Sequence, residues 1–339
     1  KVGGKIQKNQ LLYISASTDA LDLARLINKK AYEVGARQVF VDLADDQIGR
    51  ARYELAPDDS FDFFPEWKVK EREWLAEQGA AFVSIVSQSP DLLKGIDSKR
   101  IATFQKAAGT ALNKYRQYVQ SDKISWTVIA SPSEAWAEKV FPNLPKEKQV
   151  DALWDAIFKA TRSDLDNPVE AWTKHNDTLH EKVHYLNAKK YAKLHYTAPG
   201  TDLTIELPKG HLWCGAGSVN EKGEEFMANM PTEEVFTVPH KDGVNGYVSS
   251  TKPLSYGGNI INNFKITFEN GRITKVEAEQ GEEVLKNLVA TDEGSHRLGE
   301  VALVPHDSPI SNSGLLFYNT LFDENASNHL AIGSAYAFC

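Results

Sequence analysis

A chain of 339 residues is long enough for two domains or one large one, and 42% apolar with 25% charged residues supplies an ordinary globular core. The net charge of −8 and isoelectric point near 5.7, with no basic stripe or aromatic-basic interleaving, exclude a nucleic-acid partner. No uninterrupted apolar run reaches the ~18 residues of a membrane span. The only cysteines, Cys214 and Cys339, make no disulfide framework and fit a reducing cytosol, so a cytoplasmic protein is expected. No signal-peptide pattern is present, and the chain starts at Lys1 without a methionine, so its natural N-terminus is expected upstream. Two formal glycosylation sequons, at Asn176 and Asn325, read as chance matches in such a protein.

The first half alternates strand and helix. LLYIS (11–15) leads into a helix in which Ser17 or Thr18 caps, Leu21, Ala24, Leu26 and Ala31 supply the apolar positions, and Gly35 ends the run. VFVDLAD (39–45) is the next strand, followed by a helix over 65–78 that stops at Gly79. AAFVSIVS (80–87) is the third strand, 97–120 a long helix, and ISWTVIA (124–130) the fourth strand. Buried apolar strands alternating with amphipathic helices predict an α/β N-terminal domain with a mainly parallel sheet. From Pro132 to about Leu194 the chain reads as mostly helical, with breaks at Pro142, Pro145 and Pro168. This first domain, with its helical linker, is placed at 1–194.

The character changes at Thr197-Ala-Pro-Gly200. TDLTIEL (201–207) alternates, and FKITFENGRITKVEAEQ holds Asn270-Gly271 between two alternating runs, a hairpin signal. GEEVLKNLVATDEG (281–294) reads as one helix with a glycine stop, and AIGSAYAF (331–338) as an apolar strand. A mixed, largely antiparallel β-rich C-terminal domain is expected over 195–339.

Several stretches bear on chemistry. HEKVH (180–184) satisfies H-E-x-x-H, in which two histidines on one helix face bind zinc and the glutamate activates water, with Glu206 available as a third ligand. Yet it runs into the lysine-rich NAKKYAKLH and has only Leu179, Val183 and Leu186 as an apolar stripe, so a solvated linker helix is the favoured alternative. GAGSVN (215–220) resembles the start of a glycine-rich phosphate fingerprint but lies in the antiparallel half, where a plain loop is favoured. No G-x-S-x-G elbow or P-loop occurs, and neither cysteine has a nucleophile context. In the second half MPTEEVFTVPH brings Glu233 and Glu234 to a strand start, and LGEVALVPHDSPIS sets Glu300 among apolar residues. LFDENASNHLAIG gathers Asp323, Glu324 and His329 within seven residues. Buried charges need partners or metals, and spacing alone leaves a salt bridge and a metal site equally open.

The stretches MPTEEVFTVPHKDGVNG, SSTKPLSYGG, TDEGSHRLGEVALVPHDSPIS and LLFYNTLFDENASNHLAIGSAYAF resemble the signature blocks of the thermophilic aminopeptidase family of metallopeptidases, the aminopeptidase T and aminopeptidase S group. DLLKGID, PSEAWAEKVFP and LHYTAPGTDLTI extend the likeness through nearly the whole chain. The resemblance implies an α/β domain followed by a β-rich domain that holds two divalent metal ions, zinc, cobalt or magnesium, and a homodimer that encloses its active sites. By motif, Glu234, Glu300 and His329 are implied metal ligands, and Tyr336 is implied to face the site as a catalytic group. Glu324 is implied as a further ligand or as the base, the two roles being left open. Gly243 departs from the family pattern, which has arginine in its PHKDRVNG block, so an anion or dimer contact at that position is in doubt. A His-x-Asp segment that supplies two more ligands in the family has no match, so the natural chain is expected to continue past Cys339.

These readings predict a two-metal aminopeptidase acting on peptides with a free N-terminus. Glu300 bridges the cations, Glu234 and His329 are terminal ligands, and Tyr336 donates to the oxyanion. Two rivals remain: a single-zinc endopeptidase using His180, Glu181 and His184, and a non-catalytic peptide-binding or assembly protein.

Overall fold

The computed structural model describes residues 1–339, and the chain forms two compact units. One comprises Lys1–Lys174 with Gly217–Thr232, the other His175–Ala216 with Glu233–Cys339.

The first unit is built on a four-stranded parallel sheet of order β2-β1-β3-β4, with β1 at Leu11–Ser17, β2 at Gln38–Ala44, β3 at Ala81–Val86 and β4 at Trp126–Ala130. Strand residues alternate between two faces, and here both faces are covered. Leu12, Ile14, Val83 and Ile85 meet Ala20, Ala24 and Ala31 around helix α1 (Leu21–Glu33). Tyr13 and Phe82 on the other face pack with Leu75 and Ala76 of α3 (Glu66–Glu77) and with Tyr115 and Tyr118 of α5 (Asn113–Gln120). Each such aliphatic side chain contributes about 1.5–3 kcal/mol through removal from water, so Ile14→Asp would disrupt the layer. Ser17 caps the short 3-10 turn Thr18–Ala20 that leads into α1, accepting from the Asp19 N–H, and Gly35 follows the end of α1 at φ 96°, a left-handed conformation.

Three expectations are corrected. Leu26 is 60% exposed, because the α1 stripe that meets the sheet is set by Ala24 and Ala31 with Leu23 and Ile27. Strand β2 is not buried on both faces; it lies at the sheet edge, and Val41 and Leu43 are exposed. The helix of 97–120 is two helices, α4 (Ser98–Ala111) and α5, divided at Leu112, which departs from helical backbone at φ −91° and ψ 12°. The helical stretch does break at the expected prolines: no helix spans Pro142, Pro145 is the N-cap of α7 (Lys146–Ala160), and Pro168 opens α8 (Pro168–Lys189), where a missing N–H costs nothing. Helix α2 (Asp46–Leu55) follows β2, and α6 (Glu134–Val140) follows β4.

The second unit stacks antiparallel strands. Strands β5 (Lys193–Ala198) and β6 (Thr201–Glu206) join β11 (Val244–Ser249), β12 (Leu254–Tyr256), β13 (Asn259–Glu269) and β14 (Arg272–Gln280) in one six-stranded sheet. At the β13–β14 hairpin Asn270 and Gly271 both take positive φ, 48° and 77°, as a two-residue turn of this hand requires. A Cβ on Gly271 would sit 1.9 Å from the Lys241 carbonyl oxygen, so glycine is enforced there twice over. A second sheet has order β16-β15-β10-β7: β7 is Cys214–Gly215, β10 Val235–Thr237, β15 Leu298–Leu303 and β16 His329–Ile332. Leu203, Ile205, Phe268, Leu285, Val289 and Val301 share one core, against which Leu179, Val183 and Leu186 of α8 also pack.

Helix α9 (Glu282–Val289) stops before Gly294, because its apolar face ends at Val289 and Asp292 accepts from the Ser295 N–H and hydroxyl to form a separate turn. AIGSAYAF is strand only as far as Ile332, since Gly333 turns out of the ladder at φ 106°. GAGSVN is no phosphate loop: it is divided between β7 and β8 (Ser218–Val219), which pairs with β9 (Glu225–Phe226), and no helix follows.

Candidate metal centre

Three strands of the second sheet carry the site. In β10–β15 Phe236 lies opposite Ala302, and in β15–β16 Ala302 lies opposite His329. Val301 points into the core, so by the two-residue period Glu300 and Ala302 point to the other face. Phe236 and His329 share that face with Ala302, and Glu234, two residues before Phe236, joins them. The register alone therefore gathers Glu234, Glu300 and His329 on one face of one sheet.

The ligand atoms of these three residues all lie within 4.8 Å of one another. His329 Nε2 is 2.7 Å from Glu234 Oε2 and 3.6 Å from Glu300 Oε1. Despite that approach, neither Nε2 nor Oε2 has a hydrogen-bond partner with acceptable direction, and both atoms are buried. A buried imidazole nitrogen and a buried carboxylate oxygen that converge without a directed bond are arranged as ligands of a common cation would be. The other ring nitrogen is accounted for: Nδ1 lies 3.2 Å from the Ser327 carbonyl, to which it donates, leaving Nε2 as the nitrogen that would ligate once its own proton is displaced. One imidazole and two carboxylates are a donor set suited to zinc and to similar divalent ions.

The electrostatics follow from crowding these groups out of water. Burial raises Glu300, and the neighbouring Glu234 charge raises it further against the opposing His329. Burial alone would lower the His329 imidazole, but Glu234 and Glu300 overcome it and lift the ring well above its usual range. Glu324 feels Glu234, Glu300 and Asp323 as like charges; burial first and these neighbours second push it up to about 8. Such stacked, mutually perturbed carboxylates mark a site built for a cation or for proton transfer.

The remaining sequence candidates fall on either side of this cluster. Tyr336 is half-buried, its ring 5.6 Å from Phe236 and 5.1 Å from Phe338; through Phe236 it stands on the ligand face. Glu233, beside Glu234, turns the opposite way into the interior, where its carboxylate lies 3.6 Å from His175 Nε2. Asp323 accepts from the Phe317 and Asn319 backbone N–H groups at 2.8 and 3.0 Å, and burial raises it to about 6. Sequence reasoning passed over His175 and Asn325. Asn325 is fully buried and accepts from the Glu233 N–H at 2.7 Å; its only signal was the sequon, which its burial shows to be unusable.

HEKVH does lie on a helix, but Glu181 and His184 are exposed and His180 makes its contact with the Asn176 amide at 3.3 Å. Glu206 is also exposed. At Gly243 a Cβ would meet Glu206 Cβ at 2.6 Å and His240 Cβ at 3.0 Å, so this backbone has no room for a larger side chain without adjustment.

A model of the thermophilic metalloprotease (M29) family matches residues 1–339. Aminopeptidase AmpS of Bacillus subtilis is 66% identical over 338 residues, spanning 100% of this chain and 82% of that protein. Aminopeptidase 2 of Geobacillus stearothermophilus is 51% identical, spanning 99% of this chain and 81% of its own length. The solved structure of wild-type AmpT from Thermus thermophilus matches with a TM-score of 0.91 at 42% identity, covering 99% of this chain and 83% of that one.

Proposed function

The chain belongs to the thermophilic metalloprotease (M29) family, and from that premise we propose that it is a metallo-aminopeptidase that removes N-terminal residues from peptides with two divalent cations. The observation that carries this reading is the buried Glu234–His329 pair, 2.7 Å apart and without a directed hydrogen bond. Relatives named as aminopeptidases, from 42% to 66% identical, support the exopeptidase reading.

Glu234, Glu300 and His329 would hold the metal, with Glu300, on the strand between those of the other two, as the carboxylate the cations would share. When bound, divalent cations at such a site lower the pKa of water toward neutrality and polarise a peptide carbonyl. The chain's own groups do the rest. Glu324, set within reach of the charges of Glu234, Glu300 and His329, is the base that takes a proton and returns it to the leaving amine. The Tyr336 hydroxyl donates to the oxyanion that develops on the carbonyl. The acidic face suits a free α-ammonium group, which favours terminal over internal cleavage. A homodimer and a cytoplasmic location complete the proposal; zinc, cobalt and magnesium all suit the cation sites. No helix is long and apolar enough to cross a membrane.

The rival zinc helix at His180 and His184 is disfavoured by the exposure of Glu181 and His184. Metal analysis combined with an aminoacyl-anilide assay separates the readings. Two metals with release of terminal residues supports the proposal; one metal with internal cleavage favours HEKVH; neither metal nor cleavage sinks both.

A further inference from the structure

The triplet Asp323-Glu324-Asn325 divides its side chains. Asp323 and Asn325 both bind backbone: Asp323 accepts from Phe317 and Asn319 N–H, and Asn325 accepts from Glu233 N–H at 2.7 Å while donating from Nδ2 to the Leu321 carbonyl at 3.1 Å. The side chain between them, Glu324, shares in neither of these backbone contacts and feels the charges of Glu234, Glu300 and His329.

The placement of Asn325 is the informative part. Its carboxamide is fully buried, and both ends are satisfied by main-chain groups. One end holds the residue directly before the ligand Glu234. The other closes the turn of α11 (Thr320–Asp323) that leads into Glu324, five residues ahead of His329. Residues 233 and 325 are 92 positions apart in sequence, and no strand pairing joins Glu233 to that turn. The amide is thus a cross-link between two backbones that each carry part of the metal face.

The geometry points to Asn325 as a positioning residue for the metal centre: its side chain sets the spacing between Glu234 and the Glu324–His329 segment and so tunes metal affinity without touching the ion. This rests on the metal reading proposed above. The amide is suited to the task because it offers a rigid donor and acceptor at once and adds no charge among crowded carboxylates. Supporting partners of metal ligands typically change affinity about 10–100-fold when removed.

The test compares metal-stripped full chains by competition with a chromophoric chelator for Zn²⁺, at a temperature where circular dichroism verifies that each variant is folded. Asn325→Ala is expected to lose about 10–100-fold in zinc affinity. Asn325→Ser, whose single, less extended oxygen cannot stand at the positions of both Oδ1 and Nδ2, is expected to fall between that variant and the parent. Ile266→Ala, a cavity in the same unit at a buried position of β13, is the control for general destabilisation and is expected to stay within about twofold of the parent. Parental affinity in Asn325→Ala overturns the proposal. If that variant does not fold, parental affinity in Asn325→Ser overturns it equally, as does a loss of the same size in Ile266→Ala. A parent chain that binds no zinc overturns the metal reading itself, and the positioning role with it.

Discussion

Two carboxylates, one in each unit, receive opposite treatment. Asp42 on β2 meets Tyr13 Oη at 2.8 Å, Arg72 at 3.3 Å and Lys68 at 3.4 Å; burial tends to raise its carboxyl, but these partners overcome that and hold it below the ordinary range. Arg72 in turn lies over the Tyr13 ring, 4.3 Å from its centroid. Glu300 on β15 is also removed from water, yet its nearest charged neighbours are another carboxylate and one shared histidine, and its carboxyl is raised. A fold stabilises itself where charges are matched, as at Asp42. Where like charges are left together, the folded chain carries an electrostatic cost that a bound cation would relieve.

The largest way to break this contrast is Glu300→Gln. The amide keeps the shape but supplies no anionic ligand, so turnover should fall to background and zinc affinity should drop by more than the ~10–100-fold typical of a supporting residue. Normal kcat at saturating metal would sink the assignment. Next comes Tyr336→Phe, which removes only a hydroxyl beside Phe236; kcat should fall ~10²–10³-fold with metal binding kept. A raised KM at constant kcat would make the tyrosine a substrate contact instead.

The same contrast predicts opposite pH behaviour. Glu300 and Glu324 have raised folded-state values, so without metal the folded chain holds more protons than the unfolded one between the ordinary glutamate range and about 8. His329, also raised, acts in the same direction. Stability of the metal-free protein should therefore be greatest at the acidic end and decline as pH rises through that window. Zinc should reverse the slope, because binding displaces those protons and strengthens as pH rises. Thermal unfolding from pH 5 to pH 8.5, with and without zinc, reads this directly; parallel curves would remove the charge-crowding account.

Asp42→Asn should act on stability alone. Losing a charged acceptor costs about 1.5–3 kcal/mol when buried, and the Asp42 side chain is 32% exposed, which places the loss at or below the lower end. Zinc affinity should be unchanged; a change beyond about twofold would contradict the division between matched and unmatched charge. The smallest effect is expected from Glu181→Gln, whose exposed side chain should leave activity within a few-fold, whereas a fall of ~10²-fold would restore HEKVH as the general base's helix.

Local pattern carried much of the fold. The parallel strands of the first unit and the Asn270-Gly271 hairpin are set by short-range periodicity and turn chemistry, and both appear as expected. Leu26 and the extent of α9 were not legible, because which apolar positions face inward depends on the neighbouring sheet. Composition and spacing left salt bridge and metal site undecided at Glu234, Glu300 and His329; the family likeness selected them. Their convergence comes from register between strands far apart in sequence, which no local window contains. Asn325 was illegible for the same reason, its partner Glu233 being 92 residues away. HEKVH shows the converse: a motif complete in sequence, on a helix as expected, with Glu181 and His184 turned to solvent.

The most direct test of the central claim is a Co²⁺ titration of the metal-stripped protein, followed by absorption and by unfolding temperature, in the parent and in His329→Ala. Saturable visible absorption with a rise in unfolding temperature in the parent, both lost in His329→Ala, is the predicted result. Binding of equal strength in the two proteins, or no binding in the parent, would contradict a metal centre at Glu234, Glu300 and His329.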